Sequence, residues 1–420
     1  MKKFRTLVTL LAMCLLHTLF TACPDDSPNE YNKSQTQNNT GGGETDGGGT
    51  SGGGTSGGDN SDVAASFKGS GSQNDPFILS DASELRKLAQ DVNNGKTYQN
   101  LYFKMTNDIV INKNVLSSNG NLSSNTSGFE QWTPIGNSEK QSFCGTLDGN
   151  GHTIYGIYID EENNNHKGLF GYLSGTVQNL TIKDSYISGP AYCGAIAGET
   201  VLYLSKPLIL NCVNYAQVLG SIGVGGIVGA NNAKECIINK CVNYGTIGYN
   251  MYNGGIIGYV QCGKVMNSIN YGSINDGTSG GLIGGIAGHG DSKVNGPVFY
   301  NCVNFGLVNS TTPGGWGIVD EVKEINNCVN YGEIKVPKSL GYGIGSEYYS
   351  KEYVNNTYYL NISASTGFRN SVSSTKCKAM TGLEMQQKSF LDELNKNAKA
   401  LGSEYVQWKF GSDGFPTLDL

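Results

Sequence analysis

The chain has 420 residues, 29 basic against 35 acidic side chains and a net charge of −6. That balance argues against nucleic acid or an anionic membrane surface as a partner, since both call for a basic face. Glycine is abundant at 60 residues, of which only 11 fall in Gly41–Gly58, tyrosine reaches 24, and Arg5, Arg86 and Arg369 are all the arginines.

Residues 1–22 are expected to be a lipoprotein signal peptide. Lys2, Lys3 and Arg5 precede an apolar run from Leu7 to Phe20, too short to span a bilayer comfortably and shaped like a secretory h-region. Phe20-Thr21-Ala22-Cys23 resembles the box read by the lipoprotein signal peptidase, with Phe where Leu is usual. Cys23 would then carry the lipid that ties the chain to a membrane, and dual-chain acylation suffices for stable anchoring. The alternative is an ordinary cleaved signal with an incidental cysteine. Pro24-Asp25-Asp26 is similar to the surface-export signal of Bacteroidota lipoproteins, which implies an outer-membrane lipoprotein exposed at the cell surface. Residues 23–66, rich in Gly, Ser, Thr and Asn, have too little apolar surface to order themselves and read as a tether with a reach of roughly 40 Å.

Residues 67–178 read as an N-terminal cap and the first coils of a repeat structure. Asp81-Ala82-Ser83-Glu84 is a capping arrangement ahead of Leu85, Leu88, Ala89 and Val92, a helical stripe ended by Gly95. Tyr102–Met105 and Ile109–Ile111 read as first strands.

Residues 179–360 carry the repeat. C-V-N-Y stands at Cys212–Tyr215 and Cys241–Tyr244, S-I-N-Y at Ser268–Tyr271, C-V-N-F at Cys302–Phe305 and C-V-N-Y at Cys328–Tyr331, with spacings of 29, 27, 34 and 26 residues. Between copies lie G-G-I-V-G at Gly225–Gly229, G-G-I-I-G at Gly254–Gly258 and G-G-I-A-G at Gly284–Gly288. Such a period marks a stacked array whose units cannot bury their apolar faces alone. Apolar positions set apart by Asn and Gly corners, with no helical period, describe short strands joined by tight turns. The expected fold is all-β, a right-handed parallel β-helix of nine or ten coils with an N-terminal helical cap and a small α+β C-terminal cap. The C-terminal cap is residues 361–420: helical segments between Thr381 and Leu401, then a hairpin from Tyr405 to Leu418.

The order Trp132-Thr133-Pro134-Ile135-Gly136, Gly145–Ile154 (G-T-L-D-G-N-G-H-T-I), Gly168-Leu169-Phe170-Gly171, Asn179-Leu180-Thr181-Ile182 and then N-C-V-N-Y-G with G-G-I-V-G resembles proteins carrying the GLUG motif. Such repeats occur in bacterial surface lipoproteins and adhesin-like proteins, and in the non-catalytic region of some immunoglobulin A1 peptidases. The resemblance covers residues 69–360 and implies a β-solenoid at the cell surface, without a shared activity.

No catalytic constellation appears, and neither a cofactor nor a metal is expected. Gly288-His289-Gly290 looks like the histidine element of polygalacturonase-type hydrolases, but that family's paired-aspartate and Arg-x-Lys elements are missing. Asp160-Glu161-Glu162 reads as a solvated loop, and Asp148 with His152 as a turn aspartate and a strand histidine. His152, His166 and His289 lie far apart in sequence, without metal spacing. Cys212, Cys241, Cys302 and Cys328 share a repeat position with Ser268, so that site asks for a small inward side chain and not a disulfide. Tyr215, Tyr244, Tyr271, Phe305 and Tyr331 form a candidate aromatic ladder, able to stack on sugar rings if it faces outward and part of the core if it faces inward. The function that follows is adhesin-like binding of a host glycoprotein or glycan. A polysaccharide lyase or hydrolase with an unfamiliar site, or a purely structural spacer, are the alternatives.

Overall fold

In the computed structural model of the chain, the described residues are 67–277, 281–291, 293, 295–311, 314–337, 341–369 and 372–420. The expected signal peptide, Cys23 and the tether lie outside them. Residues 69–420 form one unit.

Each repeat folds as one coil of a β-solenoid, and parallel pairing stacks the coils into three ten-stranded sheets and a five-stranded one. The first sheet holds the strand that precedes each Cys or Ser. Its central inward column runs Phe77, Phe103, Leu147, Val177, Ile209, Ile238, Val265, Phe299, Ile325, Val354. All ten are no more than 1% exposed. Each such burial contributes about 1.5–3 kcal/mol, so this column is a principal source of stability.

The second sheet holds the V-N dipeptides. Ile109, Ile154 and Ile182 begin an inward column that continues as Asn214, Asn243, Asn270, Asn304 and Asn330. These five asparagines are fully buried, and each Nδ2 donates to the next Oδ1 at 2.8 Å up to Asn330. The same amides also close the turn at Gly245, Gly272 and Gly306. Burying polar amides is tolerable because every rung satisfies its neighbour. At the corner before each Cys or Ser stand Asn211, Lys240, Asn267, Asn301 and Asn327, all at positive φ between 48° and 56°. Asparagine tolerates that left-handed backbone better than most residues. Cys212, Cys241, Ser268, Cys302 and Cys328 point inward with no exposure.

The third sheet carries the column Ile159, Ile187, Val218, Ile247, Ile274, Val308, Ile334. Its long strands, Tyr186–Gly194, Gln217–Gly225 and Ile247–Gly254, do not persist along the stack. From the next coil on, the long strand is replaced by two short ones, Ile274–Asn275 and Ile283–Gly284, both paired with Ile247–Gly254. Gly315–Trp316 and Gly341–Tyr342 extend the second branch.

Helix α1 (Ala82–Asn93) starts at Asp81, whose carboxylate accepts from the backbone of Ser83 and Glu84, and it buries Leu85, Leu88, Ala89 and Val92. At the other end Cys377–Met380 adds a parallel strand to Thr357–Leu360. The chain then forms α2 (Gly382–Met385), α3 (Lys388–Leu401) and an antiparallel hairpin of Trp408–Phe410 with Pro416–Leu418. This C-terminal cap also runs down the outer side of the second sheet. Met385, Phe390, Leu394, Tyr405, Trp408 and Leu418 share one core with Val242, Ile269, Val303 and Val329. The corner asparagines clamp it: Trp408 Nε1 donates to Asn301 Oδ1 at 2.7 Å, and Asn267 and Asn327 donate to the carbonyls of Glu404 and Leu394. No helix among the described residues is long and apolar enough to cross a membrane.

Candidate functional site

The five predicted rings form one stack at the corner after each Asn. Their centroids are 4.8, 5.0, 5.0 and 4.7 Å apart in order from Tyr215 to Tyr331, with interplanar angles of 7°, 6°, 13° and 24°. That spacing is the strand spacing, so each ring face is covered by the next ring. Lys183 Nζ lies 5.5 Å from the Tyr215 centroid, over the terminal ring. Toward the C-terminus the stack is covered as well: Tyr271 Oη is 3.1 Å from Thr417 Oγ1, Tyr331 is 7% exposed and Phe415 packs on it at 5.0 Å. Tyr215 and Tyr244 remain 40% and 46% exposed, with edges and hydroxyls, not faces, available to solvent. The ladder is part core and part surface, and it does not offer the flat platform on which a sugar ring stacks.

A second candidate lies where the long strand of the third sheet has split. A cleft of about 310 Å³ opens there, lined by Leu282, Gly314, Trp316, Asp320, Glu321, Tyr342, Ser346, Glu347 and Arg369. Strand register explains how the sequence builds it. Gly225, Gly254 and Gly284 occupy one column, and the next two rungs place Trp316 and Tyr342 in it. The G-G-I-x-G phrase becomes Trp316-Gly317-Ile318-Val319-Asp320 and then Tyr342-Gly343-Ile344-Gly345-Ser346. The glycine that ends the phrase is therefore exchanged for Asp320 and Ser346.

The adjoining column runs Tyr172, Glu199, Ala230, Tyr259, His289. The bridge between Ala287 and Val319 carries it on to Glu321, which lies directly beside Glu347. His289 Nδ1 is 2.8 Å from Asp320 Oδ2. Ser346 Oγ donates to the other Asp320 oxygen, and Asp320 is 5% exposed. The His289 ring stacks on Tyr252 at 4.8 Å and on Tyr259 at 5.7 Å. Burial, with Asp291 nearby, raises the Tyr259 phenol to about 12, so it is a neutral hydroxyl at physiological pH. Trp316 is 4% exposed, and its buried indole N–H has no acceptor among the described residues.

The remaining sequence candidates fall elsewhere. His152 Nδ1 lies 3.3 Å from Asp108 and not beside Asp148, whose carboxylate accepts from Asn150, Gln178 and Asn179. His166 pairs with Glu199 at 2.8 Å and stacks on Tyr172 at 4.3 Å. Arg369, which lies beyond the repeats in sequence, returns to line the cleft. The sequence reading missed Trp316, Asp320, Glu321, Tyr342 and Glu347. The signal was present as the two rungs in which the glycine phrase is broken.

No family model matches the chain. It is 32% identical over 184 residues to halomucin of Haloquadratum walsbyi, an alignment covering 43% of this chain and 2% of that protein. It is 28% identical over 136 residues to a protein of Evansella cellulosilytica named "Putative Gly-rich membrane protein", covering 31% of this chain and 14% of the relative. The chain thus spans a small fraction of the curated relatives it matches. Among solved structures, a Bacteroides ovatus protein named "putative immunoglobulin A1 protease" superposes with a TM-score of 0.50 at 19% identity, over 84% of this chain and 95% of that one. At that identity the likeness bears on fold alone, and it agrees with a β-solenoid.

Proposed function

We propose that the chain is a lipid-anchored β-solenoid displayed at the cell surface, which binds a glycan in the Trp316–Tyr342 cleft without cleaving it. The observation that carries this reading is the make-up of the cleft. A buried indole N–H without an acceptor among the described residues stands beside a second aromatic ring, three carboxylates and Arg369 in about 310 Å³. Aromatic walls with a few convergent polar groups are what small-ligand sites use, and a sugar offers hydroxyls to both donor and acceptor groups. Anchoring rests on Phe20-Thr21-Ala22-Cys23 and outward display on Pro24-Asp25-Asp26 and the tether. The GLUG resemblance and the names of the relatives, halomucin and a Gly-rich membrane protein, accord with a surface role.

A glycan array probed with residues 66–420 tests the reading. Binding to a restricted glycan set, lost in Trp316→Ala and in Tyr342→Ala but kept in Tyr244→Ala, is the expected result. Silence across glycan and host-matrix arrays would leave the spacer reading in its place.

The carboxylates favour a second reading, that of a glycan-cleaving enzyme, since the acidic oxygens of Asp320 and Glu321 lie within 4.8 Å of each other. Glycoside hydrolysis uses two carboxyl groups, one as general acid and one as base or nucleophile. Release of reducing ends from a bound polysaccharide, abolished in Glu321→Gln, would establish that reading over simple binding.

A further inference from the structure

Two residues of the cleft wall, Asp320 and Glu321, join His289 behind them in a group with the composition of a metal site. His289 Nδ1 or Nε2 and one oxygen each of Asp320 and Glu321 lie within 4.8 Å of one another. These residues come from adjacent coils, so the stacking of the solenoid assembles what the sequence separates. His289 Nδ1 and Asp320 Oδ2 are 2.8 Å apart, a hydrogen-bonded pair that needs only a small shift to reach the ~3.4 Å between two ligands at the tetrahedral angle, given bonds of about 2.0–2.2 Å. Glu321, half-buried, supplies the third ligand oxygen.

Three independent features support this beyond proximity. The ligands are held from behind, as working metal ligands are: Ser346 Oγ donates to the second Asp320 oxygen, and Tyr252 and Tyr259 pack the imidazole. The described lining is mostly acidic, which favours a cation. Glu321 and Glu347 sit directly side by side on paired strands, an arrangement that repels, and Asp320 adds a third carboxylate to a lining in which Arg369 is the cationic residue. The residue pattern is also specific to this place, because Asp320 replaces the glycine found at Gly229, Gly258 and Gly288 in the preceding coils.

We infer that His289, Asp320 and Glu321 hold a divalent transition-metal ion of the zinc class, with its open coordination facing the cleft. An imidazole with two carboxylates suits such an ion, whereas calcium takes six to eight oxygens. Three protein ligands leave a position for water or a ligand oxygen. The site stands on its own residues and does not depend on the glycan reading.

The test uses untagged protein of residues 66–420, stripped with EDTA and titrated calorimetrically with Zn²⁺, with Co²⁺ followed by its visible absorption. One bound ion is expected, together with a Co²⁺ spectrum that His289→Ala abolishes. Glu321→Gln should weaken binding at least tenfold, Ser346→Ala about tenfold as an orienting partner, and His166→Ala should leave it unchanged. Thermal melting checks that each variant is folded, and Glu321→Gln, at the half-buried rim, keeps the test decisive if His289→Ala fails to fold. No binding of either ion, binding indifferent to both His289→Ala and Glu321→Gln, or binding of Ca²⁺ alone would overturn the inference. Metal binding with a silent glycan array would uphold the site and discard the glycan reading.

Discussion

Asn270 illustrates how much one residue does in this fold. Its amide accepts from Asn243 and Gly272 N–H and donates to Gly272 O and Asn304, all in a fully buried setting. An unmade buried hydrogen bond costs about 1–3 kcal/mol, so Asn270→Ala is expected to destabilise by about 3 kcal/mol and lower the melting temperature. Ser268→Cys is expected to be nearly neutral, within about 1 kcal/mol, because four neighbouring rungs already carry Cys in that place. Calorimetric melting of the two variants side by side checks both. The thiols should be inert in the native state. Burial pushes Cys193 and Cys236 up to about 12 and Cys377 to about 11, and the eight cysteines Cys144, Cys193, Cys212, Cys236, Cys241, Cys302, Cys328 and Cys377 are free and buried. A thiol reagent should meet no reaction from these eight until denaturant is added, and then at least eight equivalents without reductant. Four consumed pairs would contradict the free-thiol assignment.

At the scale of elements, turns and flanks decide stability. Burial would raise the Asp148 carboxyl, but hydrogen bonds from Asn179, Asn150 and Gln178 outweigh it and hold the group below the ordinary aspartate value. Because the folded value is depressed, the stabilisation is complete above the unfolded value of about 3.9 and is lost as pH falls through the folded one. Melting temperature should therefore decline from about pH 4 downward, and Asp148→Asn should flatten part of that decline. The C-terminal flank is held by Trp408, 3% exposed and bonded to Asn301. Trp408→Ala should cost about 3–5 kcal/mol. It should also speed amide exchange in α3 and the hairpin while the first coils stay protected, because repeat structures yield locally. Removing residues 381–420 should bare Val242, Ile269, Val303 and Val329, which would be read as dye binding and aggregation.

At the scale of the whole molecule, the repeat specified the rod. Period, inward cysteines, asparagine ladder and turn glycines were legible because a stacked coil repeats its environment every rung, so identical positions ask for similar residues. The helical start at Asp81 and the mixed C-terminal segment were legible for local reasons, capping chemistry and a change of period. The candidate site was legible only as a breach of the repeat. Trp316, Asp320 and Tyr342 stand where earlier coils carry glycine, and aligning the later rungs on Gly284–Gly288 would have revealed them. Three things were left to the tertiary structure. It placed His289 against Asp320, a pair that lies 31 residues apart. It brought Arg369 back from beyond the array to the cleft. It also turned the aromatic stripe face-to-face, so that rings chosen as a platform spend their faces on one another. Periodicity along the chain determines which residues share a column. Which neighbouring columns meet, and which side chains are covered when the C-terminal segment folds back, depends on three-dimensional packing that no local pattern encodes.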